Sequence, residues 1–282
     1  MNISQFLAHL YWVSKFGRPK RKVSAESLFA HPELLENPVF FLSTGRCGTE
    51  WFTHLLQNDK QLAVFHNPYP NLSVQNKFMF ELSHQPKKEV IVTGKQLVFA
   101  GRESYFRYAV KTEKRYVETN NHITFFADSL AELFPTAQFL HLYRHPGDFV
   151  TSGLNRGWFD ENNDATQKMI TSDESAWNSL TQLEKVAWVW NGTNGFIEDF
   201  KRKNPERITS YDFTKRSPEA LEQVLQFLNV RIDRSTILKS LDKKRNVQKH
   251  SQHPKYTQWE DADKERLRKI CGDLAWKYDY DL

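Results

Sequence analysis

Cysteine is nearly absent: only Cys47 and Cys271, far apart in 282 residues. Two such residues exclude a disulfide framework and a thiolate metal site, and they make a reducing cytoplasm the expected compartment. No apolar run reaches the length of roughly 20 residues that a membrane-spanning helix needs. No hydrophobic segment with a small-residue cleavage site opens the chain, and there is neither an internal repeat nor a low-complexity tract. No carboxylate set or His/Cys cluster demands a metal, so none is expected. The basic excess is mild, 39 Lys and Arg against 34 Asp and Glu. That balance suits a polyanionic small ligand, and equally nucleic acid or an anionic membrane surface. Beyond Arg18-Pro19-Lys20-Arg21-Lys22 no Lys/Arg block has the density of a nucleic-acid tail, so no nucleic-acid partner is expected. The length is ample for a substantial core in one large domain or two small ones.

The most informative stretch runs from Asn37 to Leu56. Pro38 to Leu42 is a short apolar, aromatic-rich run that reads as one buried strand. Ser43-Thr44-Gly45 breaks it. Gly48-Thr49 then opens a segment whose apolar residues, Trp51, Phe52, Leu55 and Leu56, recur at helical spacing. Strand, glycine turn and helix start together make an anion cradle: backbone N–H groups point into the turn and the helix dipole favours negative charge. Gly45 and Gly48 permit close approach, and Arg46 adds a fixed positive charge. The plainer alternative is an ordinary strand–loop–helix corner. A Walker A loop is excluded, because no Gly-x-x-x-x-Gly-Lys-[Ser/Thr] occurs.

Elsewhere, Ile3, Phe6, Leu7, Leu10, Val13 and Phe16 form one helical stripe ahead of the basic cluster. Residues 1–36 therefore read as an amphipathic helix and basic linker. Docking on the domain or a partner is favoured for it, with peripheral membrane contact through residues 3–22 as the alternative. Leu62–His66 reads as a second strand. Residues 67–107 read as irregular, with a hairpin through Val90–Val92 and Leu97–Phe99. Tyr108–Lys111 reads as a third strand. Ala137–Arg144 is the clearest strand, and Pro146 opens the next helix. Residues 157–173 read as a polar loop and Leu180–Phe200 as a helix. Arg207–Tyr211 reads as a fifth strand and Ser217-Pro218-Glu219 as a helix start. Lys243–Trp259 reads as a basic loop and Glu260–Tyr278 as a closing helix. Strands alternating with helices imply a parallel sheet with ligands at the strands' C-terminal ends.

Arg144 ends its strand on the edge where Arg46 lies, and Ser152 follows eight positions later in the next helix. A guanidinium and a hydroxyl so placed can converge on one phosphate, although Arg144 can instead pair with Asp148. Arg46-Cys47-Gly48-Thr49-Glu50-Trp51 resembles the 5′-phosphosulfate loop of sulfotransferases, a Lys or Arg followed by Ser-Gly-Thr-Thr-Trp. Arg144-His145-Pro146-Gly147-Asp148 through Ser152 resembles their 3′-phosphate motif in order, spacing and context. Tyr211-Asp212-Phe213, Ser217-Pro218-Glu219 ahead of Gln226–Asn229, and the closing Cys271–Tyr280 resemble later segments of the family. Residues 37–282 are therefore the expected domain, and the likeness spans roughly Pro38 to the end. It implies an α/β, three-layer, P-loop-like fold with a central, mostly parallel sheet of about five strands flanked by helices.

The resemblance further implies a transfer of a sulfuryl group from 3′-phosphoadenosine 5′-phosphosulfate (PAPS, leaving PAP) to an acceptor hydroxyl. Cationic side chains suffice for it without a metal. By the same likeness Arg46 stabilises the leaving oxygen, while Cys47, Gly48, Thr49 and the backbone around them hold the 5′-phosphate. Glu50 replaces the family's second hydroxyl residue, and a carboxylate there has to point away or pair with a cation. Trp51 stacks on the adenine, with Tyr211 nearby; core packing explains both equally well. Arg144 and Ser152 hold the 3′-phosphate, joined by Arg245 and Lys249 from the late loop. Lys111 is implied as a cation near the transferring group. For the base, Glu113 stands where one branch has a histidine, and His66 near where another has a glutamate. His66 is preferred because it titrates near neutrality, with Glu113 second. The acceptor is a hydroxyl-bearing small molecule, lipid or carbohydrate. A nucleotide-dependent kinase is disfavoured by the missing Walker lysine, and a non-catalytic binding protein of the same fold is the other alternative.

Overall fold

The computed structural model describes residues 30–83, 87–160, 174–242 and 252–282. Five strands form one wholly parallel sheet, ordered β2-β3-β1-β4-β5. They are β1 Val39–Leu42, β2 Leu62–Phe65, β3 Arg115–Glu118, β4 Gln138–Tyr143 and β5 Ile208–Asp212. The helices are α1 Thr49–Leu56, α2 Ser73–Leu82, α3 Lys87–Lys111, α4 Ala127–Leu133, α5 Pro146–Leu154, α6 Glu174–Ser179, α7 Gln182–Lys203, α8 Pro218–Phe227, α9 Arg234–Leu241 and α10 Asp261–Lys277.

β1 is central because every one of its side chains is apolar and can be buried. Phe40 and Leu42 enter the cluster covered by α3, α4, α5, α7 and α10, while Val39 and Phe41 enter the cluster covered by α1, α8 and α9. The result is the expected three-layer α/β arrangement. Its functional consequence is topological. The chain leaves β1 toward β2 on one side and reaches β4 on the other, so the crevice beyond β1's C-terminal end is the natural ligand position.

The helix starts follow their local chemistry. Ser217 accepts from Ala220 N ahead of Pro218. At α7, Thr181 and Glu184 form a reciprocal capping box. His145 caps α5, its Nδ1 accepting from Gly147 N. Gly192 and Gly195 do not interrupt α7, which runs unbroken to Lys203.

Two expectations fail in one region. Residues 67–107 are not irregular and hold no hairpin: they carry α2 and most of α3. The buried positions of α3 are Gly94, Val98, Gly101, Arg102, Tyr105, Phe106 and Ala109, a helical stripe written largely in glycine, arginine and alanine. Its period is therefore invisible to apolar counting, and the β-branched Val90 and Val92 mislead. Tyr108–Lys111 is likewise the last turn of α3, not a strand. The third strand is Arg115–Glu118, whose final residue is a carboxylate fully buried against Arg102. α9, which no sequence pattern announced, follows the N-cap Asp233.

The amphipathic stripe and basic cluster within residues 3–22, most of the loop at 157–173, and Arg245 and Lys249 lie outside the described residues. Among the described residues no helix is long and apolar enough to cross a membrane.

Candidate functional site

The loop between β1 and α1 is built from left-handed backbone. Gly45, Arg46 and Gly48 have φ of 76°, 57° and 93°. Adjacent residues in this conformation turn their N–H groups to one side, forming a concavity that suits an anion. Gly48 is the N-cap of α1 and offers no side-chain cap. Thr124 grips the loop's base, its Oγ1 accepting from Ser43 N and donating to Ser43 O, each at 3.0 Å. A Cβ on Gly48 would lie 2.2 Å from the Phe213 ring, and one on Gly45 would lie 3.1 Å from the Asn121 amide. Both glycines are thus required by conformation and by neighbours.

Cys47 turns its side chain into the core, where Sγ donates to Gly45 O at 3.1 Å. Burial pushes the thiol up to about 11, so it is protonated and structural, and only its backbone belongs to the cradle. Thr49 is buried at the helix start. Glu50 lies in the first turn, and its charge acts on both Arg46 and His66.

The two stretches that the sequence suggests as phosphate sites meet. Arg46 Nε donates to Ser152 Oγ at 3.4 Å, and Arg144 Nη1 donates to Arg46 O at 3.1 Å. Arg144 also makes the anticipated ion pair with Asp148, at 3.2 Å, but its buried Nε has no partner. The Arg46 guanidinium is pushed down to about 10, first by burial and then by Arg156 and Arg144 beside it. Three guanidiniums thus share one partly buried corner with a surplus of positive charge. An anion there would relieve both the desolvation and the repulsion.

His66 follows β2 on the same edge. Its Nδ1 is 3.0 Å from Thr119 Oγ1, and Asn67 Nδ2 lies 3.3 Å from its Nε2. With the Asn67 amide assigned as donor to Nε2, the ring proton is assigned to Nδ1, facing Thr119 Oγ1. Thr119 Oγ1 is in turn 2.7 Å from Thr53 Oγ1, which donates to Thr49 O at 2.8 Å. The imidazole is thereby tied to the first helix of the cradle. Burial lowers its pKa, opposed by Glu50.

Beneath it, Arg102 and Glu118 form a fully buried pair, with Nε contacts of 3.0 and 2.9 Å. Asn120 Nδ2 and Tyr116 OH also donate to Glu118, and Arg102 Nη1 donates to Pro70 O. This network joins the segment after β2 to the segment after β3. The second of these brings Asn121 over Gly45 and sets the half-buried His122 nearby. His122 is pushed down to about 4 by burial, with Arg102 and His66 adding to it.

Trp51 is buried, T-shaped against Phe213 at 5.8 Å, and its Nε1 donates to Ser240 O at 2.9 Å. It lines a cavity of about 220 Å³ with His54, Leu55, Asn58, Thr236, Lys239 and Ser240. Tyr211 lies deeper, edge-on to Phe52, its hydroxyl buried without a partner.

Lys111 and Glu113 are not brought to this site. Lys111 ends α3 and Glu113 lies in the turn beyond it, ahead of Arg115, whose backbone N donates to Gln61 O at the start of β2. That is the N-terminal edge of the sheet. From Arg115 to Glu118 β3 spans at least about 10 Å, which separates this edge from the one bearing Arg46. Glu113 adopts φ of 52° as a left-handed helix terminator, a sufficient reason for its local backbone.

Phe213, Thr119, Asn121, His122 and Arg156 are the site residues that the sequence analysis passed over. The Asn120-Asn121 pair after Tyr116 and Val117 was the available signal, an apolar run ended by turn residues. Among the described residues no His, Cys, Asp or Glu cluster is arranged to hold a metal ion.

Residues 38–234 match the model of the Sulfotransferase family. That match runs from β1 through the Arg46 and Arg144 stretches into the first residue of α9. A comparison with curated proteins found no match. Among solved structures the fold resembles the sulfotransferase STF9 from Mycobacterium avium, with a TM-score of 0.52 and 12% identity over 97% of this chain and 82% of that one. It also resembles a sulfotransferase from Alicyclobacillus acidocaldarius, with a TM-score of 0.50 and 14% identity over 88% of this chain and 97% of that one. At such identities the likeness speaks for the fold alone, and the family match speaks for descent. The chain belongs to the sulfotransferase family.

Proposed function

We propose that this protein transfers a sulfuryl group from PAPS to an acceptor hydroxyl by in-line displacement. The observation that carries this reading is the contact between Arg46 and Ser152, with the unpartnered Arg144 Nε beside it. Two anion-binding stretches converge on one cationic corner, as a donor carrying both a 5′-phosphosulfate and a 3′-phosphate requires. The residues fit that donor: the left-handed loop offers backbone N–H groups, and the corner has more positive than negative charge. When bound, the donor supplies a sulfuryl group whose S–O bond to phosphate breaks as a new S–O bond to the acceptor oxygen forms.

The chain's own residues have separable roles in this reading. Arg46 and the amides around Gly48 and Thr49 bind the 5′ side and stabilise charge on the leaving oxygen. Arg144 and Ser152 bind the 3′-phosphate. The Trp51 ring, lining its cavity, serves the base. His66 Nε2 accepts the acceptor's proton in place of its present contact with Asn67, and Thr119 holds the ring. Asn121 and His122 supply the polar wall that Lys111 and Glu113 do not. The acceptor is a sugar, lipid or small metabolite bearing a hydroxyl. A cytoplasmic setting belongs to the same proposal and is supported by two buried, unpaired cysteines.

The test is calorimetric titration with PAP, beside ATP and Mg²⁺, on the parent and on Arg46→Ala and Arg144→Ala. Metal-independent PAP binding is expected, weakened by about 100-fold in either variant. Absence of PAP binding, or equal affinity in all three proteins, overturns the proposal. Mg²⁺-dependent ATP binding with hydrolysis would favour the kinase alternative.

A further inference from the structure

The segment after α10 returns across the C-terminal edge of the sheet. The Tyr278 ring stacks on Tyr143 with centroids 4.3 Å apart. Two residues on, the buried Tyr280 donates its hydroxyl to Asp212 Oδ1 at 2.5 Å and lies 3.4 Å from Thr214 Oγ1. Its ring packs against His145, centroid to centroid at 4.9 Å. Lys215 Nζ sits over the same ring and donates to Asp279 O at 2.9 Å. The turn after β5 is therefore clasped from outside by this segment.

That turn touches both phosphate stretches. Asp212 Oδ1 accepts from Thr214 N at 2.7 Å, and Thr214 Oγ1 accepts from His145 N at 2.8 Å. His145 is the residue after Arg144 and the cap of α5. Between them, Phe213 donates its N–H to Tyr143 O at 2.8 Å and lays its ring over Gly48 and against Trp51. The other oxygen of Asp212, Oδ2, is buried without a partner, so the carboxylate depends on the contacts of Oδ1.

We propose that Tyr280 is a positioning residue of the nucleotide site. Its hydroxyl fixes the Asp212–Lys215 turn, and through Phe213 and Thr214 it holds the Gly45–Thr49 loop and the His145 end of α5 in register. Tyr280 lies outside both phosphate stretches and outside residues 38–234. The inference rests on the PAPS reading only through its binding readout. Tyr278 supplies an internal control. It belongs to the same segment and also donates to a carboxylate, Glu198 Oε1 at 3.1 Å, but that carboxylate is on α7, away from both stretches.

The experiment compares Tyr280→Phe with Tyr278→Phe in the full chain, by PAP titration and by hydrogen exchange of the ligand-free protein. Tyr280→Phe is expected to weaken PAP binding about 10-fold, the factor matching one lost hydrogen bond to a charged group. It is also expected to speed exchange at the amides of residues 45–49 and 145–149 together. Tyr278→Phe should leave both readouts at the parental level. Equal effects of the two variants, or unchanged exchange in Tyr280→Phe, overturn the proposal. Should the parent not bind PAP, the functional reading fails, and the exchange comparison by itself decides whether the clasp exists.

Discussion

Arg46 and Ser152, 106 positions apart in the chain, sit within 3.4 Å of each other, guanidinium Nε to hydroxyl oxygen. The first belongs to the loop after β1, the second to the helix after β4, neighbouring strands in the sheet. Ser152→Ala removes the hydroxyl and leaves Arg46 and Arg144 to hold the 3′ side. PAP affinity should fall about 10-fold, less than for loss of either arginine, while Ser152→Thr should keep most of it. Calorimetry on the two variants checks this, and an unaffected Ser152→Ala would remove the residue from the site.

Gly48 is held at φ of 93° with the Phe213 ring 2.2 Å from where a Cβ would stand. Gly48→Ala therefore meets two obstacles, a left-handed backbone costing roughly 1–2 kcal/mol and a steric overlap with the ring. Adding Phe213→Ala should relieve only the second. In denaturant melts the double variant should recover part of the lost stability, and PAP binding should remain impaired because the loop's backbone is still strained. Full recovery of both would mean that conformation at Gly48 is immaterial.

Burial lowers the His66 pKa below the ordinary 6.5, and Glu50 opposes that shift. A base works when neutral, so activity should persist as pH falls past 6.5 and decline only through the lower, folded value. His66→Gln should abolish this acid limb along with most of kcat; a limb that survives would return the role of base to another residue. Replacing the carboxylate by Glu50→Thr removes the opposing influence. The limb should then move to lower pH, and PAP binding should tighten, since a negative charge leaves the cradle. A pH–rate profile of kcat/KM for the three proteins decides the limb, and PAP titration of Glu50→Thr decides the affinity.

The legible parts of the sequence were those in which local chemistry and final environment agree. β1 is a continuous apolar run because both faces are buried, β4 is apolar but for Gln138 and the buried His141, and the glycines of the loop are fixed by backbone conformation. The third strand failed for the opposite reason. Glu118 is buried yet charged, and Arg102 is buried on a helix whose stripe interleaves glycine, arginine and alanine with Val98, Tyr105 and Phe106. Each looks like a surface residue until the other is known, and their partnership spans 16 positions. Reading β3 at Tyr108–Lys111 set the candidate lysine and glutamate at the ligand edge of the sheet, whereas they lie at its N-terminal edge. It also hid Thr119, Asn121 and His122, which follow β3 at its C-terminal end.

The Arg102–Glu118 pair accordingly carries a structural and a functional load that substitution can separate. Both side chains are almost wholly buried, so Arg102→Met alone strands a carboxylate and should destabilise the protein by about 3–5 kcal/mol. Combining it with Glu118→Leu removes the stranded charge, and much of that loss should return, because two apolar side chains can fill the space of a desolvated pair. Activity should not return with it. Arg102 also anchors Pro70 O, and Glu118 anchors Asn120, the contacts that set the segments carrying His66 and Asn121. The double variant should thus melt close to the parent while its kcat stays low. Recovery of kcat together with stability would show that the pair merely fills the core and that the segments after β2 and β3 find their places without it.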